Sequence, residues 1–258
     1  MIKNITIMGG FDKHGDKESV QSITLEKGCI YTIVGKTGSG KTLLMEDIES
    51  LNYGEGITKR TVLIDNAKPD DTFYYGHRSR FIAHLSQNMN FILDMPVIDF
   101  LTLRNQIQFS ENVKASPIDV LYTANLLTGE EIEPNQLLTK LSGGQSRALM
   151  IADVALNNSA PVILIDEVEN AGIDRIKAMS LLTKHEKIVL VVTHDPLLAL
   201  YGLKRIVLKN GGISHVIDRT NEEKEILEQL INVNSKIDTL RQKIRNGESL
   251  KGVDNIVQ

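Results

Sequence analysis

Short runs of apolar residues alternate with amphipathic segments along most of this chain. Continuous apolar runs occupy residues 29–34, 162–165 and 188–192 and are rich in β-branched side chains, which is typical of strands buried on both faces of a parallel sheet. Apolar positions at helical spacing follow at 43–48, 147–156 and 173–182. Strands that alternate with helices predict an α/β fold with a mostly parallel core sheet.

The amino-terminal part has a different pattern. Residues 2–7 alternate between apolar and polar side chains and predict an edge strand, and residues 20–25 predict a second strand. Asn210, Gly211 and Gly212 separate two further strands near the other end, which is a hairpin signal. We therefore expect an antiparallel β subdomain at the amino terminus that leads into the parallel core.

A helical segment interrupts the strand pattern at about residues 89–140. Pro96 precedes apolar residues at helical spacing, and Ser116 with Pro117 marks the start of a second helix. Strand-like alternation is missing from this stretch. The sequence predicts a helical subdomain inserted into an α/β domain that covers residues 1–217.

The last stretch, residues 218–258, predicts a carboxy-terminal helical extension. Its apolar residues alternate at spacings of four and three, as in a heptad repeat, and charged residues lie between them: Ile226, Leu230, Val233, Ile237, Leu240 and Ile244. Fewer than three heptads is a weak coiled-coil signal. Two interpretations stay open, a helix packed on its own domain and a helix that associates with another chain.

Composition narrows the class of protein. The chain has 258 residues, of which 24% are charged and 41% hydrophobic, and its net charge is −4, as in ordinary globular proteins. Mild acidity argues against a broad nucleic-acid surface, which would be basic. Cys29 is the single cysteine, which excludes an intramolecular disulfide. The sequence contains no apolar run long enough to span a bilayer and no signal-peptide pattern. We therefore expect a cytoplasmic protein that reaches a membrane, if at all, through a partner.

The strongest motif lies between the apolar run at 29–34 and the helical segment at 43–48. It fits the pattern G-x-x-x-x-G-K-[ST] of a phosphate-binding P-loop with the residues Gly35, Lys36, Thr37, Gly38, Ser39, Gly40, Lys41 and Thr42. Glycines let the backbone approach a phosphate, and N–H groups at the helix start face the anion. Lys41 supplies a positive charge for the β- and γ-phosphates, and the Thr42 hydroxyl is a ligand for Mg²⁺.

Polar residues follow two of the buried strands. Asp166 and Glu167 end the run at 162–165, and His194 closely follows the run at 188–192. Ligands of parallel sheets bind at the carboxyl ends of strands, so Asp166 is a candidate Mg²⁺ ligand. Helix capping or solvation is the alternative for the carboxylates, and a structural hydrogen bond is the alternative for His194.

A further motif, Leu141 to Gln145, reads LSGGQ. Together with the P-loop and the strand that ends at Asp166, it resembles the motif set of ATP-binding cassette (ABC) ATPases, in the same order along roughly residues 1–217. The resemblance implies a set of site residues beyond the P-loop: Phe11 stacking on adenine, Gln87 near Mg²⁺ and the attacking water, Ser142, Gly143, Gly144 and Gln145 on the ATP of a partner subunit, Glu167 as the general base, Asp174 in the D-loop, and His194 on the γ-phosphate. A phenylalanine packed in the core is the alternative for Phe11.

The resemblance also implies a reaction and partners. It implies hydrolysis of Mg-ATP to ADP and phosphate between two copies of the chain arranged head to tail. The first interpretation is the ATP-binding subunit of a transporter whose membrane-spanning subunit is another chain. The second is a soluble ABC-type ATPase that remodels or activates a protein or metalloenzyme, and a DNA-associated role is weaker because the insertion is short and the net charge is negative.

Three positions differ from the pattern of many transporter subunits. Val168 stands where the family often has proline, and residues 170–174 read Asn-Ala-Gly-Ile-Asp instead of a D-loop with Ser-Ala-Leu-Asp. Arg147 lies one residue nearer to the signature than the usual arginine. These differences bear on the transporter interpretation and remove no catalytic group.

Overall fold

Two β-sheets organise the described part of the protein. The computed structural model describes residues 2–69, 81–86, 90–107, 115–166, 172–184 and 186–250. The strands are β1 (Asn4–Met8), β2 (Ser22–Glu26), β3 (Ile30–Val34), β4 (Thr61–Ile64), β5 (Ile82–Leu85), β6 (Val162–Asp166), β7 (Ile188–Val192), β8 (Lys204–Lys209) and β9 (Gly212–Asp218). The larger sheet has the order β5-β6-β7-β3-β8-β9. Its first five strands are parallel and β9 is antiparallel, which confirms the α/β fold with a mostly parallel core.

The smaller sheet corrects one expectation. Its order is β2-β1-β4, and both pairings are antiparallel. Strand β1 is therefore the central strand and not an edge strand, because Ile5 pairs with Leu25 on one side and with Ile64 on the other. The central position explains why Ile5 and Ile7 are fully buried.

Helices cover both faces of the larger sheet. They are α1 (Lys41–Glu49), α2 (Val97–Ile107), α3 (Pro117–Leu127), α4 (Gly143–Leu156), α5 (Arg175–Thr183), α6 (Pro196–Tyr201) and α7 (Asn221–Arg245). Leu44 and Ile48 of α1 share a core with the apolar residues of the smaller sheet and with Ile33 of β3. A second core holds α2 to α6 against the opposite side chains of β6 and β7. The P-loop helix is thus fixed between the two sheets.

Helices α2 and α3 form where the sequence predicts helices. The α2 helix begins directly after Pro96, and α3 begins with a capping box in which Ser116 and Asp119 bond each other's backbone N–H groups. The α3 helix buries one face against α4. Its other apolar side chains, Ile118, Tyr122 and Leu126, are exposed. At spacings of four residues they form one row along the helix.

The carboxy-terminal helix α7 divides its apolar residues between two faces. Leu227 is buried, and Leu230 and Ile231 pack partly against the core that contains α6. Ile226 and Val233 of the predicted heptad row remain exposed. Packing on the domain therefore accounts for part of this helix and leaves the rest of its apolar surface uncovered. Within the described residues, no helix has both the length and the apolar character that crossing a membrane requires.

Candidate nucleotide-binding site

The P-loop forms a tight turn between β3 and α1. Gly40 precedes the first residue of α1 in the left-handed conformation, with φ 98°. A Cβ atom at Gly40 would lie 2.7 Å from the Cα atom of Gly211, so any larger residue would force the two segments apart. No side chain caps α1, which leaves its first N–H groups for an anion.

Lys41 lies across this turn. Its Nζ atom donates to the carbonyl oxygens of Gly35, at 2.9 Å, and Lys36, at 3.2 Å. The Oγ atom of Ser39 is buried and has no hydrogen-bond partner among the described residues. A positive charge, open N–H groups and an unsatisfied hydroxyl therefore lie within one loop, and this is the chemistry that binds phosphate. Thr42 is exposed at the start of α1.

The carboxyl ends of three adjacent strands bring further polar residues to the same edge. Asp166 pairs with Val192 of β7, and Val192 pairs with Ile33 of β3. Asp166 thus lies level with the end of the P-loop strand, two strands away. Asp166 is half-buried, and His194 follows β7 at this edge with an exposed side chain. Carboxylate and hydroxyl oxygens are ligands that Mg²⁺ prefers, so Asp166 and Thr42 fit the predicted metal site.

The signature segment forms the start of α4. Ser142 is its N-cap and accepts a hydrogen bond from the N–H of Gln145 at 3.2 Å. The Gln145 side chain accepts from the N–H of Ser142 at 2.9 Å and donates to the carbonyl oxygen of Glu131 at 2.8 Å. Gln145 is buried, whereas Ser142 and Gly143 are exposed and Gly144 is half-buried. The buried Gln145 side chain therefore holds the start of α4 in place through these hydrogen bonds.

Gly172 lies close to the signature. A Cβ atom at Gly172 would be 3.8 Å from the Cα atom of Gly144, and φ at Gly172 is +65°. Asp174 is the N-cap of α5, where its carboxylate accepts from the N–H of Lys177 at 3.0 Å. Capping and an ion pair with the Nζ atom of Lys177 at 3.1 Å are thus the side-chain contacts that the structure shows for Asp174, and a nucleotide contact remains a prediction.

Phe11 lies in an exposed loop next to the P-loop. Its side chain is 38% exposed and belongs to neither buried core, which argues against the alternative of a packed core phenylalanine. In this loop the N–H of Lys13 donates to the carbonyl oxygen of Asn210 at 2.9 Å. The neighbouring Gly211 donates its N–H to the carbonyl oxygen of Ser39 at 2.9 Å. One turn therefore connects the loop of Phe11 with the P-loop.

A buried charge network supports this turn, and sequence reasoning missed it. Arg60 is fully buried and donates to Glu18 at 2.5 and 3.0 Å and to Asp47 of α1 at 2.8 Å. It also donates to the carbonyl oxygen of Gly211 at 2.7 Å. Glu18 accepts from the N–H of Gly10 at 3.0 Å. No motif or spacing marks these residues, because only the fold shows that their charges are buried.

Two predicted catalytic residues, Gln87 and Glu167, lie outside the described residues, and so do Val168, Asn170 and Ala171. Their roles stay predictions. The described residues place the P-loop, Asp166 and His194 at one sheet edge and the signature at the start of a separate helix.

The ABC transporter family matches residues 19–170, which is more than half of the chain. The chain belongs to this family. It is therefore an ABC ATPase, and its nucleotide is ATP.

Known relatives agree with this assignment. An uncharacterized ABC transporter ATP-binding protein of Methanocaldococcus jannaschii is 47% identical over 98% of this chain and 97% of its own length. A macrolide export ATP-binding/permease protein, MacB of Bradyrhizobium diazoefficiens, is 25% identical over 74% of this chain and 29% of its own length.

A solved structure also resembles this ABC ATPase. It is a dimeric ATP-binding cassette in a post-hydrolysis state with ADP and Pi, with a TM-score of 0.61 and 25% identity over 84% of this chain and 99% of that chain.

Proposed function

We propose that this ABC ATPase hydrolyses Mg-ATP between two copies arranged head to tail, as the ATP-binding subunit of a transporter with a separate membrane subunit. The observation that carries the proposal is the pair of helix starts at α1, which no side chain caps, and α4, where Ser142 and Gly143 are exposed. Among the described residues, no hydrogen bond joins the P-loop to the signature. Two separate phosphate-binding surfaces suit a site that each chain completes for the other.

The chemistry of Ser142 supports a contact across the dimer. Its Oγ atom already accepts from the N–H of Gln145, so the hydroxyl hydrogen is available to donate. Ser142 and Gly143 are exposed at the positive end of α4. A γ-phosphate held on the P-loop of a second copy offers the matching acceptor and charge.

The P-loop side of the site supplies binding and charge stabilisation. Lys41 leaves its two carbonyl partners for the β- and γ-phosphate oxygens, which carry more negative charge. Thr42 and Asp166 are the described residues that would hold Mg²⁺, whose charge offsets that of the phosphates. We assign general-base work to Glu167 and contacts with the γ-phosphate and the attacking water to His194 and Gln87, as the family resemblance implies.

Relatives and an exposed surface support the coupling to transport. A transporter ATP-binding protein and an exporter are both similar to this chain. The exposed row of Ile118, Tyr122 and Leu126 on α3 provides apolar surface for a partner. We therefore propose a cytoplasmic protein that meets the membrane through a separate membrane subunit.

Affinity purification from a detergent-treated native lysate, which contains both membrane and soluble proteins, tests this partner. We expect the tagged ABC ATPase to retain an integral membrane protein, and Ile118→Asp with Tyr122→Asp to lose it without losing ATP binding. Ile57→Asp is the matched control, because Ile57 is also an exposed apolar residue but lies outside α3. Retention of a soluble enzyme in place of a membrane protein would support the alternative, a soluble ABC-type ATPase that acts on that enzyme.

A further inference from the structure

Helix α7 carries an apolar row that its own domain leaves largely exposed. We call this row the α7 seam: Ile226, Leu230, Val233, Ile237, Leu240 and Ile244. Four of its members are 47%, 51%, 41% and 59% exposed, namely Ile226, Val233, Ile237 and Ile244. Leu230 and Leu240 are half-buried. Exposed apolar residues in such a row mark an interaction surface more often than isolated ones do.

A different face of α7 holds the helix on the domain. Leu227 is buried in the core and Ile231 packs against it. Glu223 accepts a hydrogen bond from Arg205 at 2.5 Å, and Asn234 accepts from Arg175 at 2.8 Å. At 100° per residue this face is centred about a quarter of a turn away from the α7 seam. The helix is therefore anchored with its seam at the side of this face, and Leu230 is the seam member that also packs partly against the core.

The second half of α7 extends beyond these anchors. In the described part of the chain, the side-chain hydrogen bonds of residues 238–248 stay within α7 and the residues directly after it. A helix whose apolar row continues for three turns past its last anchor gains stability if another helix covers that row.

The spacing of the α7 seam suits a second copy that runs antiparallel. In one register, each seam residue of one copy lies opposite a seam residue of the other, so that two copies cover the whole row. The opposed pairs are Ile226 with Ile244, Leu230 with Leu240, and Val233 with Ile237. An antiparallel pair of identical helices also has the two-fold symmetry of a closed homodimer.

Charge favours the same direction. Residues 221–230 contain four glutamates and one lysine, whereas residues 236–245 contain four basic residues and one aspartate. An antiparallel pair sets the acidic half of each helix against the basic half of the other, and a parallel pair would set like charges together. Lys236 is the exception, because it lies near the middle of the paired region and approaches Lys236 of the other copy.

From this geometry we infer that the α7 seams of two copies pack antiparallel and hold two chains together without ATP. This contact goes beyond the proposed head-to-tail dimer, which depends on nucleotide. Its consequence is kinetic: two chains that stay joined after hydrolysis re-form the ATP site as an intramolecular step, at a raised effective concentration. Because the seam is short, the contact is reversible and depends on protein concentration.

Sedimentation velocity of the nucleotide-free protein tests the contact. We expect a concentration-dependent shift from the mass of one chain to that of two, and Val233→Asp with Ile237→Asp to abolish the shift. Asn232→Asp with Thr239→Asp is the matched control, since it adds the same charge to exposed polar positions of α7 and should leave the shift intact. The inference is overturned if the unaltered protein keeps the mass of one chain at all soluble concentrations, or if the control pair abolishes the shift equally.

Cysteine cross-linking tests the direction. In a Cys29→Ser background, Val233→Cys and Ile237→Cys should each form few disulfide dimers alone and many when mixed, because residue 233 lies opposite residue 237 of the other copy. Efficient dimers of each variant alone, without gain on mixing, would show parallel helices and overturn the inferred register.

Association through the α7 seam should be independent of the ATP site. Lys41→Ala should keep the nucleotide-free mass shift, and the Val233→Asp, Ile237→Asp variant should keep the ATP affinity of a single chain. A failure of the seam contact would therefore leave the head-to-tail proposal standing, and the reverse also holds.

Discussion

Arg60 donates a 2.7 Å hydrogen bond to the carbonyl oxygen of Gly211, and the N–H of Gly211 donates at 2.9 Å to Ser39 of the P-loop. The buried, positively charged side chain of Arg60 thus sets the position of a turn that contacts the phosphate-binding loop. The same guanidinium holds Glu18 and Asp47. The P-loop conformation therefore depends on a network that contains none of the recognised motifs.

Arg60→Met should destabilise the protein strongly, because it leaves two buried carboxylates without their cation. Removal of one partner from a buried ion pair costs about 3–5 kcal/mol in the free energy of unfolding, which chemical denaturation measures. Lys59→Met is the matched control, since Lys59 is the exposed neighbour and its loss should cost less than about 0.5 kcal/mol.

Arg60→Lys keeps the charge and should raise the KM for ATP in the folded fraction. An unchanged KM in this variant would contradict the link to the P-loop.

Lys41→Ala should abolish tight ATP binding while the protein stays folded. The substitution removes the charge that faces the β- and γ-phosphates, and Lys41 bonds only carbonyl oxygens of its own loop among the described residues. Equilibrium binding of a fluorescent ATP analogue measures the loss, and Lys36→Ala, in the same loop, is the control. Equal affinity of Lys41→Ala and the unaltered chain would refute the P-loop assignment.

Gln145→Leu should lower stability and turnover together. It removes the acceptor of the Ser142 N–H and the donor to Glu131, and each such hydrogen bond contributes about 0.5–1.5 kcal/mol. Gln136→Ala is the control, because Gln136 makes a longer 3.3 Å bond to the same side chain. A thermal melt decides the role: lost turnover with an unchanged melting temperature would mean that Gln145 contacts the nucleotide directly.

Lys187 gives the protein a predictable response to alkaline pH. Burial lowers the pKa of Lys187 to about 8, and its Nζ atom donates to the carbonyl oxygens of Asn158 and Ala160. Between pH 8 and the ordinary value of 10.5, the unfolded chain binds more protons than the folded chain. The free energy of unfolding that this residue contributes therefore rises with pH across this range and is constant below it.

Comparison with Lys187→Met isolates this response. The stability of the unaltered protein relative to this variant should rise by up to a few kcal/mol between pH 8 and 10.5, at about 1.4 kcal/mol per pKa unit. Lys184→Met, at an exposed position, should show no such rise. Parallel stability curves for the protein and Lys187→Met would mean that the charge of Lys187 is not destabilised by burial.

The sequence predicts the core and the P-loop because each has a local cause. The runs at 162–165 and 188–192 are apolar throughout, which a strand buried on both faces requires, and the position of Gly40 against Gly211 requires a glycine. The central place of β1 depends on its pairing with β4, more than fifty residues later. Local alternation carries no information about that pairing.

Local spacing also leaves open which face of α7 packs on the domain. Leu227 and Ile231 face the domain, while Ile226 and Val233 face away from it. Both sets recur at helical spacing, so periodicity alone gives no reason to prefer one face as the packed one. The Arg60 network is harder still to predict from sequence, because the burial of its charges depends on how the surrounding elements pack together.

Photolabelling shows whether each chain completes the ATP site of the other. The probe is ATP with a photoreactive group on its γ-phosphate. Size-tagged Lys41→Ala chains are mixed with untagged Glu167→Gln chains, which should bind the probe without consuming it. The tagged chains alone should remain unlabelled, because they lack the P-loop lysine.

In the mixture, we expect label on residues 142–145 of the tagged chain, and Ser142→Arg in that chain should abolish it. Label confined to the untagged chain, with the tagged signature segment unlabelled in every mixture, would show that the signature of one chain does not reach the ATP of the other.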